Sequence, residues 1–203
     1  MKIRLTLTEP ILGTCPNNKE IAAEFVASKA PDAAKMQEEI ERLGVDAVVE
    51  KGKTVFPRLD DGTPFVYDYQ IKGFFKDACG MLARVPYKKS AKVKANKKII
   101  DGLIFVEPRT IPFLHYGEIT DCQRPLRAQT AQGERVSLAN SEEIGAGAQL
   151  EFEVICLNTE RKEGEDYTEH EKLVCEWLDY GRLRGLGQWR NSGKGRFTYE
   201  IIG

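Results

Sequence analysis

The sequence is poor in the residues and patterns on which metal sites, cofactor sites and disulfide frameworks depend. Its 203 residues include two histidines and five widely spaced cysteines, and no CxxC pair occurs. An odd number of isolated cysteines predicts reduced thiols, not a disulfide framework or a zinc site. No HxxxH or DxD cluster and no Walker or Rossmann glycine motif is present. We therefore predict that the protein binds no metal and no cofactor.

Long apolar runs are also missing. The sequence has no stretch of about 18 apolar residues, the length that a helix needs to cross a bilayer. Its beginning, MKIRLTLTEPILG, alternates polar and apolar residues, which is unlike a secretory signal peptide. These two observations predict a cytoplasmic protein with no membrane partner.

Neither sign of charge dominates the composition. Thirty basic and 31 acidic residues give a formal net charge of −1, so only local clusters can indicate a nucleic-acid partner. One such cluster, KKSAKVKANKK at 88–98, is called the lysine segment here and has no acidic residue. It could follow a phosphate backbone or be a solvated surface loop, and the sequence leaves both readings open. Its cations are Lys88, Lys89, Lys92, Lys94, Lys97 and Lys98.

Hydrophobic periodicity divides the chain into helices and strands. Apolar residues alternate with polar ones in the predicted strands and recur at three- and four-residue spacing in the predicted helices. A helical pair at 19–44, a β-hairpin at 53–67 around Asp61-Gly62 and an irregular excursion with local hairpins at 109–147 complete the interpretation. The predicted strands span 2–8, 99–108, 148–157 and 196–202, and the predicted main helices span 67–85 and 168–185.

Without the two excursions the order is strand, helix, strand, strand, helix, strand. This order is typical of the α+β ferredoxin-like fold, also called RRM-like, in which two helices cover one face of a four-stranded antiparallel sheet. The other sheet face is left for a ligand, as in RNA-recognition modules. We predict a single domain over 1–203, with insertions at approximately 14–66, which contains the helical hairpin, and 109–147.

The stretch RGLGQWRNSGKGRF at 184–197, called the glycine loop here, lies between the last predicted helix and the last strand. Glycine N–H groups and cations could receive phosphates there while Trp189 stacks on a base. The alternative is a structural turn with Trp189 in the core. The candidate residues are Arg184, Gly185, Gly187, Trp189, Arg190, Gly193, Lys194, Gly195 and Arg196.

A glycine-rich loop at this place resembles the hallmark of the RAMP superfamily, the ferredoxin-like RNA-binding subunits and nucleases of CRISPR systems. The glycine loop is similar to their GhGxxxxxGhG pattern, with Gly185-Leu186-Gly187, five residues, and Gly193-Lys194-Gly195. Lys194 departs from the pattern, because the family has a hydrophobic residue there. The resemblance implies an RNA-binding protein with the fold predicted above.

Two further stretches resemble the CRISPR backbone subunits of that superfamily. YQIKGFFKDACG at 69–80 is similar to the start of their first helix, with Lys72 and Gly73 at the positions of a Lys-Gly pair. RPLRAQTAQGERVSLANSEEI at 124–144 resembles their thumb-like excursion between the second and third strands. Its cations Arg124, Arg127 and Arg135 could contact nucleic acid, the segment could contact a neighbouring subunit, or it could be a surface hairpin without such a role.

Three function hypotheses follow, and the first is a non-catalytic single-stranded nucleic-acid-binding protein, RNA favoured over DNA, that could line up on its ligand as repeated subunits. The chain also resembles uncharacterised proteins of phages and other mobile elements, so the second is an anti-defence protein that engages or mimics a CRISPR-type complex. The third is a metal-independent endoribonuclease using His115 or His170. Neither histidine has a partner fixed by a motif, so we favour the absence of catalysis.

Overall fold

The computed structural model describes residues 1–17, 52–130, 133–157 and 160–203, with the side chains of 126–137 outside the description. The predicted helical pair at 19–44 lies outside the described residues. The chain divides into two compact units. The core unit comprises Met1–Ile11, Arg58–Glu118 and Ile144–Gly203, and the hairpin unit comprises Leu12–Pro57 and Ile119–Glu143.

The described elements are numbered in chain order. The helices are α1 (Asp68–Leu82), α2 (Asn96–Leu103) and α3 (Glu169–Arg184), with short 3₁₀ turns at Lys89–Lys92 and Arg190–Ser192. The strands are β1 (Lys2–Leu7), β2 (Ile11–Leu12), β3 (Cys15–Pro16), β4 (Thr54–Val55), β5 (Phe65–Tyr67), β6 (Ile104–Glu107), β7 (Thr110–Leu114), β8 (Thr120–Thr130), β9 (Gly133–Ile144), β10 (Gln149–Cys156) and β11 (Phe197–Ile201).

The core unit has the predicted ferredoxin-like arrangement. Its antiparallel sheet runs β11, β1, β10 and then β6 and β7, with β5 added beyond β7. Two segments, β6 and β7, together occupy the position of the second strand of the ferredoxin-like sheet. Strand β6 pairs with residues 153–156 of β10, and β7 pairs with residues 149–150. Taken in chain order, this is the 4-1-3-2 strand order of a split βαβ unit, which confirms the predicted fold class.

Alternation along the strands separates the two faces of this sheet. Ile3, Leu5 and Leu7 of β1 are buried, and their neighbours on β10 and β11 continue the same buried face. Helices α1 and α3 cover it, with the rings of Phe75 and Trp177 5.5 Å apart between centroids. Burial of these apolar side chains is the main source of stability for the core unit. The intervening strand residues therefore occupy the opposite face.

The predicted strand at 99–108 is wrong in its first half. Residues Asn96–Leu103 form helix α2, and only Ile104–Glu107 form a strand. Ile100 and Ile104 are both fully buried and are four residues apart, which is a helical spacing, but both also lie in the mostly apolar stretch IIDGLIFV at 99–106. Short apolar runs of this kind do not distinguish a buried helix from a buried strand.

The predicted hairpin at 53–67 has its turn and a single antiparallel bridge, between Arg58 and Pro64, but not the pairing of two full strands. Leu59 N–H donates to Thr63 O at 2.9 Å around Asp61-Gly62, and β5 then pairs with β7 instead of with β4. In the hairpin unit, β4 pairs with β3 and, in parallel, with β9 at Ser141. The excursion predicted at 109–147 as irregular is more regular than expected, because β8 and β9 form one long antiparallel hairpin.

Candidate nucleic-acid interface

The glycine loop is fastened to helix α1 by one carboxylate. Asp77 Oδ2 accepts hydrogen bonds from Arg184 Nε at 2.9 Å and from Arg190 Nη1 at 2.8 Å, an arrangement called the Asp77 clasp here. Partial burial opposes the charge on Asp77, but the two arginines outweigh it and lower the pKa of the carboxyl group below its ordinary value. Two of the four loop cations therefore hold the loop against α1.

Backbone hydrogen bonds connect the two ends of the glycine loop to each other and to Pro10. Leu186 N–H donates to Gly195 O at 2.8 Å, and Gly195 N–H donates to Pro10 O at 2.8 Å. Gly195 has φ +72°, and a Cβ there would lie 1.9 Å from the carbonyl oxygen of Leu186. Only glycine permits this close approach. The N–H of Gly185 donates to Gly181 O, and the N–H of Gly193 donates to Arg190 O. The N–H groups of these two glycines and of Gly195 therefore stabilise the loop itself.

Trp189 lies on the surface and not in the core. Its side chain is 39 % exposed, whereas Trp177, the other tryptophan, is completely buried. Trp189 has φ +54°, a left-handed conformation that costs a bulky residue of order 1–3 kcal/mol. A 3₁₀ turn follows, and Ser192 donates from both N–H and Oγ to the carbonyl oxygen of Trp189. The loop thus holds an indole ring at the surface at some conformational cost.

The remaining loop residues lie close to this ring in sequence. Gly187 has φ +80°. Lys194 and Arg196 are half-buried, and the Arg196 guanidinium carbon lies 3.5 Å from where a Cβ of Gly193 would be. Arg196 Nε is buried and hydrogen-bonds to no described residue. The second half of the loop therefore carries two half-buried cationic side chains, Lys194 and Arg196.

The lysine segment contains the 3₁₀ turn Lys89–Lys92 and the beginning of α2, and all six of its lysines are exposed. It is fastened to α3, where Glu176 accepts from the N–H groups of Lys89 at 2.8 Å and Ser90 at 3.0 Å. Ser90 Oγ donates to Glu176 and accepts from the buried Trp177 Nε1 at 2.9 Å. These bonds lower the pKa of Glu176 despite its partial burial. The segment is thus an exposed cationic surface that hydrogen-bonds to α3.

The glycine loop and the lysine segment both attach to the helical layer of the core unit. Helix α3 carries Glu176 in its middle and Arg184 at its end, about 12 Å apart along the axis at 1.5 Å per residue. Both attachment points also adjoin α1, which carries the Asp77 clasp and precedes the lysine segment. The structure therefore places these two predicted cationic features along one pair of helices.

The other sheet face does not suit a phosphate backbone. Strand register places Lys2 beside Glu153, which has Glu107 on its other side, and places Arg4 between Glu151 and Glu200. In β1, β6, β10 and β11 this face has these four carboxylates and two cationic side chains. The expectation that it is left for RNA, as in RNA-recognition modules, conflicts with this charge, because phosphates are repelled by an excess of carboxylates.

The thumb-like stretch predicted at 124–144 coincides with most of the β8–β9 hairpin. Arg124 is only 5 % exposed and donates from Nη1 to Ser141 Oγ at 3.0 Å inside the hairpin unit. Burial of this kind argues against a contact between Arg124 and nucleic acid. The side chains of Arg127 and Arg135 lie outside the described part of the chain.

The three other candidate residues are dispersed over the core unit. Lys72 donates to Asp101 O at 3.2 Å and its Nζ lies 4.9 Å from the centre of the Phe105 ring. His115 is exposed, with φ +52°, between β7 and β8. His170 is half-buried in the first turn of α3, and its Nδ1 hydrogen-bonds to no described residue. Nothing in the core unit as described brings the two histidines together.

The described residues contain no group of three or more histidine, cysteine, aspartate or glutamate side chains that could hold a metal ion. Within the described ranges, no helix combines the length and the apolar character that crossing a membrane requires.

Sequence reasoning missed the residues that support the interface, namely Asp77, Ser90 and Glu176. Asp77 is separated from its two arginines by 107 and 113 residues along the chain. Ser90 and Glu176 are 86 positions apart. No local pattern signals such pairs, although the predicted packing of α1 against α3 could have suggested a search for a carboxylate on α1 facing the loop.

Comparison with known proteins gives a similarity of fold. No protein-family model matches the chain, and no curated protein matches it. Among solved structures, the chain is similar to one from the cryo-EM structure of the type III-B Cmr-beta bound to cognate target RNA, with a TM-score of 0.52 and 10 % identity. The similarity covers 100 % of this chain and 58 % of the other, so this chain spans little more than half of its neighbour's length. At this identity the similarity concerns the fold alone.

Proposed function

We propose that the protein binds single-stranded RNA, without cleaving it, through the glycine loop and the lysine segment as a RAMP-type binding subunit. The observation that carries this proposal is Trp189, an indole ring exposed at a conformational cost on a loop that the Asp77 clasp connects to α1. A structural turn would gain more stability by burying that ring. Exposed aromatic rings beside cations are the usual means of binding single strands.

The charge distribution also favours RNA binding on the helical side of the core unit. Six exposed lysines in the lysine segment provide phosphate contacts, and the glycine loop that carries Trp189 also carries Lys194 and Arg196. The acidic sheet face makes the helical side the more favourable one for a polyanion. The fold similarity to a chain from an RNA-bound Cmr-beta structure agrees with this reading.

The experiment is fluorescence anisotropy with a labelled 20-nucleotide oligouridine at several salt concentrations. We expect saturable binding at low salt, with the logarithm of the affinity falling linearly with the logarithm of the salt concentration. Replacing Lys92 and Lys94 by alanine should lower the affinity and reduce the magnitude of the slope by roughly 0.7 for each phosphate that the protein no longer neutralises. A matched control replaces two exposed cations on the sheet side of the core unit, Lys2 of β1 and Arg109 between β6 and β7, and should leave the slope unchanged.

Two outcomes would contradict the proposal. The wild-type protein could fail to bind the oligonucleotide at low salt, or the two double variants could lose affinity equally. Equal losses would mean that only the overall charge matters and that the lysine segment has no special role. The same samples, incubated without metal and then separated by size, should contain intact RNA.

A further inference from the structure

A cleft on the acidic side of the sheet belongs to neither the glycine loop nor the lysine segment. It has a volume of about 660 Å³ and lies where β6 passes the beginning of α1. A volume of this size admits one or two large side chains. The residues that line it and enter the argument are Lys2, Asp68, Phe105, Glu107, Arg109 and Glu153.

The carboxylates of this cleft are not fully compensated. Asp68 pairs with Arg109 at 3.5 Å, and Glu153 lies 3.8 Å from the N-terminal amine. Glu107 forms no ion pair with any described residue, yet it is directly opposite Glu153 across the β6–β10 ladder. Like charges at opposite positions of a ladder are destabilising. A donor or cation bound between them would remove that cost.

An exposed aromatic ring stands beside Glu107. Phe105 is two residues earlier on the same face of β6, at a distance of roughly 7 Å, and is 39 % exposed. Lys72 Nζ already lies 4.9 Å from the centre of this ring, which shows that the ring accepts a cation. A planar guanidinium could stack on the exposed part of Phe105 and reach Glu107 with paired N–H groups.

The edge of β6 could hold the backbone of such a ligand. The backbone of Val154 hydrogen-bonds to Met1, on the β1 side of β10. By alternation, the backbones of Glu153 and Ile155 face β6, where they are opposite Glu107 and Phe105. By alternation, the N–H and C=O of Val106 point away from β10 and toward the cleft that Val106 helps to line. Within the described part of the chain, no strand pairs with this side of β6. An extended peptide could therefore add to this edge.

We propose that the cleft binds an extended, arginine-containing segment of another protein. An arginine of that segment stacks on Phe105 and pairs with Glu107, while the segment's backbone bonds to Val106. Charge complementarity selects this occupant, because an RNA strand would bring phosphates to a surface with an excess of carboxylates. The site is separate from the proposed RNA interface, so each can fail without the other.

The test uses a fluorescein-labelled octapeptide of alternating arginine and valine, with binding followed by anisotropy in the absence of RNA. We expect saturable binding, and a loss of about tenfold in Glu107→Gln, since a charge-assisted hydrogen bond contributes at least about that factor. Phe105→Leu should also weaken binding. Glu200→Gln is the matched control, because it removes the same charge from the same sheet face outside the cleft, and its affinity should stay near the wild-type value.

Peptide variants separate the components of the proposal. A peptide of alternating arginine and proline cannot donate backbone hydrogen bonds from its proline positions and should bind more weakly than the arginine–valine peptide. A glutamate–valine peptide should not bind. The proposal is overturned if the arginine–valine peptide shows no saturable binding, or if Glu107→Gln and Glu200→Gln weaken its binding equally. It is also overturned if oligouridine displaces the peptide from the wild-type protein but not from Glu107→Gln. Unchanged thermal unfolding of these surface variants confirms that they are folded.

Discussion

Removal of the Asp77 carboxylate should loosen the glycine loop and destabilise the core unit. In Asp77→Ala, Arg184 and Arg190 lose bonds of 2.9 and 2.8 Å and are left as two neighbouring cations. Bonds to charged groups contribute about 1.5–3 kcal/mol each when well buried. Two such bonds would sum to at least about 3 kcal/mol, but the three side chains are 23–27 % exposed and solvent screens them, so we expect a smaller total loss of roughly 2 kcal/mol.

The assay is thermal unfolding followed by circular dichroism. For a chain of this length, 1 kcal/mol shifts Tm by about 2–4 °C, so Asp77→Ala should lower Tm by roughly 4–8 °C. Asp101→Ala is the control from the same helical layer, because it also breaks an ion pair, between Asp101 and Lys76, but one with a 55 % exposed carboxylate. Its Tm should move by much less. Equal shifts in the two variants would refute the reasoning that the Asp77 clasp is structural.

The pH dependence gives an independent check of the same prediction. The pKa of Asp77 is lower in the folded protein than its ordinary value of 3.8, so the folded state favours the ionised form. A lowered pKa contributes stability above the unfolded-state pKa and loses it as the pH falls through the folded-state pKa. The Tm difference between wild type and Asp77→Ala should therefore be constant from pH 7 to about pH 5 and shrink below about pH 4. A difference that grows on acidification would contradict this sign.

Two further substitutions test the supports of the interface. Ser90→Ala leaves the buried Trp177 Nε1 without its acceptor and removes a donor to Glu176, so urea unfolding should give a stability loss of about 1–3 kcal/mol; a change within error would contradict it. Gly195→Ala places Cβ on the Leu186 carbonyl and should cost about 3 kcal/mol or more, whereas Gly193→Ala, whose new Cβ meets nothing nearer than 3.5 Å, should cost about 1 kcal/mol for its positive φ alone. The same unfolding assay compares the two, and similar losses would show that the close approach at Gly195 is unimportant.

The main elements of the fold could be predicted because their signals are local. The strict alternation of β1 and β10 and the apolar face of α1 follow from the pattern of the side chains that they bury. The boundary between helix α2 and strand β6 could not be predicted, because the mostly apolar stretch at 99–106 fits both the helical and the strand periodicity. The pairing of β5 with β7 is a tertiary choice that a turn at Asp61-Gly62 does not determine.

The candidate interface was predictable in its residues but not in their roles. Glycine spacing indicated a sharp loop, and the lysine segment was visible as a charge cluster. The sequence could not tell that Arg184 and Arg190 are held by Asp77 or that Arg124 is buried, because these partners are distant in the chain or come from another strand. The sequence also could not show that Trp189 is exposed, because a tryptophan among glycines is consistent with both a buried and a surface position. Its left-handed backbone and its exposure are seen only in the structure.

The most direct test of RNA binding at the glycine loop is tryptophan fluorescence during titration with oligouridine. Trp177 is buried and bonded to Ser90, so a change in emission on RNA binding should come from Trp189. We expect saturable quenching in the wild type and none in Trp189→Phe, which keeps a ring for stacking and should retain much of the affinity. Trp189→Asn, whose side chain suits the left-handed backbone, should bind more weakly by about 1–3 kcal/mol. Binding by anisotropy without quenching, or quenching that persists in Trp189→Phe, would contradict the account.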